Sequence, residues 1–309
     1  MAGSARDQRF RAAAAALRRR MVRRIVAGGG LADPAWRAAF AEVPRHLFVP
    51  VYYRGGSDDA VGHGRFAADD PDMRRRLSWL TGAYADQPIA THVSGGELVS
   101  SSSQPSLMAL MCGALDLREG HRVLEIGAGT GYNAALLAHR LGGTGAVTTV
   151  DLDAAITAPA REHLAAYGTA AALSVTVVTG DGAFGCPAGA PYDRVIATCE
   201  LPAVPPAWTE QCRPGARILA PFATGLVVLT VTGPGRAEGR FLSTPAYFVP
   251  LRGRAAGIQP PAVGGESSLL DRHPARTRFG LTVEGRRQWI WLDRPDGPDT
   301  WPVPAASSF

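Results

Sequence analysis

The sequence predicts an α/β fold: a mostly parallel sheet with antiparallel strands at one edge, helices at the N-terminus and a small C-terminal extension. Two observations carry this expectation. The first is the run Val123, Leu124, Glu125, Ile126, which enters three glycines spaced two apart, Gly127, Gly129 and Gly131, and then an apolar helical stretch over 132–141. A buried strand that turns through glycines into a helix lets backbone approach a ligand closely. The second is alternation. Strand-like runs stand at 122–127, 146–151, 174–179, 193–198 and 216–221, and helical stretches at 132–141, 154–167 and 204–212 separate several of them. Near-continuous apolar strands of this kind imply a parallel sheet covered on both faces.

The N-terminal region reads as a helix over 9–27, with Leu17, Met21 and Ile25 at i, i+4 and i+8 on one side, ended by Gly28, Gly29 and Gly30. A second helix is expected over 34–42. Residues 54–76, polar and glycine-rich and then charged, read as an inserted loop with one short helix. Past the last parallel strand, runs at 226–232 and 241–251 suit antiparallel edge strands. A Gly/Pro-rich linker is expected at 253–266, then a small β element packed on the core, marked by the alternation at 288–292. The expected division is 1–82 for the N-terminal helices and inserted loop, 83–253 for the core, and 254–309 for the linker and extension.

With 309 residues, 46% of them hydrophobic, the chain can bury one sizeable core plus an appendage. The net charge is +5, and all 32 basic residues are arginine. With the surplus of alanine, glycine and proline, this reflects GC-rich coding better than a basic binding face. Aromatics at 7% argue against a stacking nucleic-acid surface. Cys112, Cys186, Cys199 and Cys212 show neither a C-x-x-C pair nor metal-ligand spacing, so reduced thiols in a cytoplasmic protein without a metal are expected. No apolar run reaches the length of a membrane span, and no signal peptide is apparent. Oligomeric state is left open.

The glycine spacing narrows the ligand. A dinucleotide fingerprint wants its third glycine three positions after the second, where Tyr132 stands. The pattern E-x-G-x-G-x-G instead resembles the first motif of Rossmann-like class I S-adenosylmethionine-dependent methyltransferases. Glu125 is then a candidate for holding the cofactor's ammonium group. Asp151, twenty residues after Gly131 at the end of the second strand, can accept from both ribose hydroxyls. Asp181, with Gly182 closing the third strand, can bind the adenine amine. An isolated glycine run can be a bare turn, and an aspartate at a strand end can be a helix cap. Three such features at successive strand ends favour a cofactor site.

Upstream and downstream segments extend the likeness. VPRHLFVP at 43–50, AYADQPI at 83–89, SSSQPSLMALM at 101–111, VVTGDG at 177–182, APYDRVIAT at 190–198 and FVPLRG at 248–253 resemble the protein-L-isoaspartate (D-aspartate) O-methyltransferase family, from roughly residue 18 to 253. In that family the serine block reads roughly T-I-S-Q-P and its hydroxyls line the methyl-acceptor site. The resemblance therefore nominates Ser103, with Ser101 and Ser102 as weaker candidates, to orient the acceptor. Two departures stand out: Ser101 and Ser102 replace the family's Thr and Ile, and Thr198-Cys199-Glu200-Leu201-Pro202 replaces a small-residue segment. Glu200 would repel an acidic acceptor unless it turns away or meets an arginine.

The resemblance implies in-line displacement of the sulfonium methyl by an aspartyl or isoaspartyl carboxylate of a peptide or protein. A carboxylate with an unperturbed pKa of ~3.9 is already ionised at neutral pH, so no general base is required. The altered acceptor half resembles a branch that methylates aspartate in ribosomally made lanthipeptide or graspetide precursors, leading through succinimide to isoaspartate. The alternatives are general isoaspartyl repair, a small-molecule methyltransferase and a non-catalytic cofactor-binding protein. His46 and His92 lie in segments near the acceptor side, but neither has a partner at ligand or triad spacing.

Overall fold

The computed structural model describes residues 2–54, 64–253, 270 and 275–304. The N-terminal part holds α1 (Ala2–Ala27), α2 (Pro34–Glu42), α3 (Arg45–Phe48), β1 (Val51–Arg54), β2 (Gly64–Ala67), α4 (Met73–Ala83), β3 (Ile89–Ser94) and β4 (Glu97–Ser102). The central part runs α5 (Pro105–Ala114), β5 (Arg122–Ile126), α6 (Tyr132–Leu141), β6 (Ala146–Asp151), α7 (Ala154–Tyr167), α8 (Ala170–Leu173), β7 (Thr176–Thr179), β8 (Tyr192–Ala197), α9 (Pro206–Glu210) and β9 (Cys212–Phe222). Then come β10 (Gly225–Gly233), β11 (Arg236–Phe241), β12 (Phe279–Glu284), β13 (Arg287–Leu292) and β14 (Thr300–Val303).

Local chemistry explains the main boundaries. Asp33 caps α2 by accepting from the Ala35 amide at 2.8 Å, with Pro34 in the first turn. Asp153 caps α7 in the same way, and Gly168 ends it in the left-handed conformation. Gly131 and Gly142, both left-handed, bracket α6. In β5 the side chains of Val123, Leu124, Glu125 and Ile126 are all buried, as expected for a central parallel strand.

The large sheet has ten strands in the order β14-β13-β12-β11-β10-β9-β8-β5-β6-β7. Strands β9, β8, β5, β6 and β7 pair in parallel, as the five strand-like runs predict. From β5 the chain steps outward to β6 and β7, then returns to place β8 on the other flank of β5. The connections diverge there, which opens a crevice beyond the carboxyl ends of β5 and β8.

Two features differ from expectation. The run 241–251 is not an edge strand. The edge partner of β10 is β11, and after Phe241 the chain leaves the sheet and crosses back over the strand ends. Pro245 and Pro250 lack the amides a ladder needs, and the segment instead ties to Glu200, whose amide donates to Val249 O at 2.9 Å and whose carbonyl accepts from Leu251 N at 2.8 Å. The expected small C-terminal β element is formed by β12, β13 and β14, which continue the large sheet from β11, each antiparallel to its neighbour. Buried Gln288 locks it to the core by hydrogen bonds to both the carbonyl and the amide of Val204, at 2.7 and 2.9 Å. The expected linker over 254–266, and residues 55–63 of the expected inserted loop, lie outside the described residues.

A second, four-stranded antiparallel sheet, β2-β1-β3-β4, was not anticipated. It straddles the expected boundary at residue 83 and carries the serine run at its end, with Ser100, Ser101 and Ser102 in β4.

Candidate active site

The crevice beyond β5 and β8 is a cleft lined by Gly127 and Gly129 after β5, Asp151 and Leu152 at the end of β6, Gly182 after β7, and Thr198 and Cys199 after β8. Val249 to Arg252 close one side and Ser100 and Ser101 another. Gly127 has φ +96°, and a Cβ there would overlap the Thr198 hydroxyl. That hydroxyl donates to Gly127 O at 2.9 Å and to Ile126 O at 3.2 Å, so the strand-end turn is tied shut from behind.

Asp151 accepts from the Gly129 amide at 3.2 Å, and its other oxygen lies 3.8 Å from the Arg252 guanidinium. Burial raises its pKa, partly offset by Gly129 and Arg252. Asp181 accepts from Ala183 N at 3.0 Å, capping the turn Gly182–Phe184, while Gly182 itself faces the cleft. Trp208, fully buried, fixes that turn by donating from Nε1 to Gly182 O at 2.8 Å.

Glu125 stands elsewhere. It is fully buried beneath the glycine turn, accepts from Asn133 Nδ2 at 2.6 Å, and does not line the cleft. Burial pushes its pKa up from 4.5 to about 7, with Thr149 and Asn133 holding back part of the rise. A carboxyl whose native pKa exceeds its unfolded value binds an extra proton in the native state between those two values. Its contribution to stability therefore falls as pH rises from 4.5 to about 7 and is flat above. Glu125→Gln, which keeps an acceptor for Asn133, is expected to lose less stability than the wild type between about pH 5 and about pH 8, read from urea midpoints. An unchanged difference would refute this titration.

The serines divide between two surfaces. Ser101 lines both the cleft and a neighbouring cavity of about 620 Å³; Ser103 and Gln104 line the cavity alone. The cavity is otherwise walled by apolar groups, including Leu98 and Leu107 on one side and Tyr247 and Phe248 on the other. Ser102 is buried and turned away, its hydroxyl accepting from Arg45 Nη2 at 3.1 Å. Glu200 lines neither space. Its half-buried carboxyl is held by the Thr224 backbone, and burial raises its pKa. His46 pairs with the Tyr84 hydroxyl at 2.7 Å and is pushed down to about 4 by burial, which makes it a packing residue. His92 borders a smaller pocket beside Thr91 and His163. Among the described residues no group of His, Cys, Asp or Glu could hold a metal ion, and no helix is long and apolar enough to cross a membrane.

Arg45, Thr198 and the 249–252 crossing were missed as site residues. One arginine among 32 basic residues carries no signal of its own. Its one clue is the apolar setting, since Val43, Phe48 and Val49 are fully buried around it.

A glycine turn that side chains would fill, with an aspartate at the end of the next strand at a topological switch point, suits S-adenosylmethionine. The fold, the cleft and the family match that follows make the chain an S-adenosylmethionine-dependent methyltransferase of the Rossmann-like α/β class. The profile of the protein-L-isoaspartate(D-aspartate) O-methyltransferase family matches residues 75–254, and the chain belongs to that family. A protein-L-isoaspartate O-methyltransferase of Methanoregula boonei is 39% identical over 241 residues, 77% of this chain and 93% of the relative. Another, from Anaeromyxobacter sp., is 39% identical over 235 residues, 74% of this chain and 93% of the relative. A solved protein-L-isoaspartate O-methyltransferase shares the fold with a TM-score of 0.61 at 23% identity, covering 93% of this chain and 87% of its own. A Plasmodium falciparum structure titled as a protein of this kind, in complex with S-adenosyl-L-homocysteine, has a TM-score of 0.55 at 14% identity, covering 77% and 98%.

Proposed function

We propose that this chain methylates the free carboxylate of L-isoaspartyl residues in damaged peptides and proteins, the general repair reaction. The observation that carries the reading is the junction at Ser101, where a cleft suited to the methyl donor meets a hydroxyl-lined cavity suited to an acceptor. When bound, S-adenosylmethionine supplies an electrophilic methyl group that a carboxylate oxygen can accept. The Gly127–Gly131 turn, Asp151 and Gly182 would hold the donor. Ser101 and Ser103 would hydrogen-bond the acceptor carboxylate, and the apolar walls would strip it of water.

A hydrogen bond to a charged group contributes about 1.5–3 kcal/mol. Ser103→Ala should therefore lower kcat/KM roughly 10- to 150-fold while leaving affinity for S-adenosylhomocysteine nearly unchanged. Equal loss of cofactor affinity would remove Ser103 from the acceptor side.

Methylation of an aspartate in a ribosomally made precursor is a second reading, favoured by Cys199 in the cleft and by the serine run. The C-terminal strands do not favour it, since the fold likeness covering 93% of this chain leaves out fewer residues than follow Gly253. Relatives named for isoaspartate support repair. The two readings separate in one experiment: initial rates on an isoaspartyl peptide and on its aspartyl twin. Repair predicts methylation of the first only; methylation of the aspartyl twin alone would favour tailoring.

A further inference from the structure

Arg45, in α3, is a fully buried cation beneath the acceptor cavity. Its Nη1 donates to the carbonyls of Ala83 at 2.8 Å and Ala85 at 3.3 Å. Its Nη2 donates to the Ser102 carbonyl at 3.2 Å, the Ser102 hydroxyl at 3.1 Å and the Ser103 carbonyl at 3.0 Å. Every one of these acceptors is neutral. Among the described residues no carboxylate lies within ion-pair distance of it: Asp86, the anion that attracts it from farther off, is held by the Ser106 amide at 2.9 Å, and Nε meets no acceptor. Burial lowers its pKa to about 10, which leaves it charged at neutral pH. A buried charge without a counter-ion is expensive to maintain by packing alone.

Its contacts bear on the site. The carbonyls of Ser102 and Ser103 are both turned onto Arg45. In a trans peptide the next N–H points opposite to the carbonyl, so the Gln104 amide is turned away from Arg45. Ser103 and Gln104 are the residues that line the acceptor cavity.

We propose that Arg45 is a positioning residue for the methyl acceptor: it holds the Ser102–Ser103 turn so that the Ser103 hydroxyl and Gln104 amide meet the substrate carboxylate, whose charge balances the guanidinium on binding. The inference rests on the peptide-carboxylate reading above. In a poorly screened interior the field of a buried cation reaches the neighbouring cavity. It favours a carboxylate over a neutral carboxamide of the same shape.

The test uses an isoaspartyl peptide and its carboxamide twin, with full-length wild type, Arg45→Met and Arg45→Lys. The wild type should bind the carboxylate peptide about tenfold or more tighter than the carboxamide, the latter read as a competitive inhibitor. Arg45→Met should raise KM for the carboxylate peptide about tenfold more than it raises the carboxamide inhibition constant, and leave affinity for S-adenosylhomocysteine within about twofold. Arg45→Lys should keep the preference for carboxylate but lose kcat, since one ammonium nitrogen cannot span the Ala83 carbonyl and the Ser102–Ser103 turn as Nη1 and Nη2 do together. Parallel loss of all three affinities in Arg45→Met would mark a merely structural arginine and overturn the proposal. Should neither variant fold, equal wild-type affinity for the two peptides would still overturn it. A wild type that methylates no isoaspartyl peptide would bring down the underlying reading, and the inference with it.

Discussion

Gly127→Ala is expected to remove cofactor binding and to destabilise the chain by about 2–4 kcal/mol. Gly127 sits at φ +96°, in the region a side chain enters only with strain. A methyl group there would also overlap the Thr198 hydroxyl, which is held by the carbonyls of Ile126 and Gly127 and has no easy retreat. The strand end would have to twist, and the cleft between Gly127 and Thr198 would change shape. Calorimetric titration with S-adenosylhomocysteine and urea unfolding read both effects. An alanine variant that retains wild-type affinity would show that the turn is not part of the cofactor site. Thr198→Ala in the same background should recover part of the lost stability, because it removes the overlap but not the backbone strain.

Asp151→Ala is expected to weaken affinity for S-adenosylhomocysteine by about 100-fold or more, the equivalent of two charge-assisted hydrogen bonds. Asp151 is the one carboxylate lining the cleft among the described residues. The Gly129 amide already holds one of its oxygens, so the side chain is oriented before a ligand arrives. Arg252, 3.8 Å from the other oxygen, would be left without that partner, which adds to the loss. Stability should change little by comparison, since burial raises the pKa of Asp151 and makes its charge unfavourable to the fold. An affinity within threefold of wild type by titration would move the ribose elsewhere.

The parallel half of the sheet was legible because its strands are apolar on both faces and are spaced by helices with clear caps. β5, β6 and β8 fall within a residue or so of the expected runs. The small sheet was not, because β3 mixes Thr91, His92 and Ser94 with its apolar residues and β4 ends in three serines, so neither presents a clear apolar face. The crossing at 242–252 looked like a strand because Tyr247, Phe248, Val249 and Leu251 are β-formers. Its two prolines were the contrary signal. The glycine turn and the place of Asp151 at the end of β6 follow from spacing alone. Glu125 lay in the same motif, but it stands inside the strand end, fully buried against Asn133 of α6. Only coordinates could divide the serines, placing Ser101 and Ser103 on the cavity and Ser102 on Arg45.

The most direct test of the account is a crystal structure with S-adenosylhomocysteine and an isoaspartyl peptide bound together. The account predicts the ribose on Asp151, and the isoaspartyl carboxylate within hydrogen-bond distance of Ser103 in the cavity walled by Leu98 and Tyr247. A peptide carboxylate bound away from Ser101 and Ser103, or a ribose away from Asp151, would contradict it.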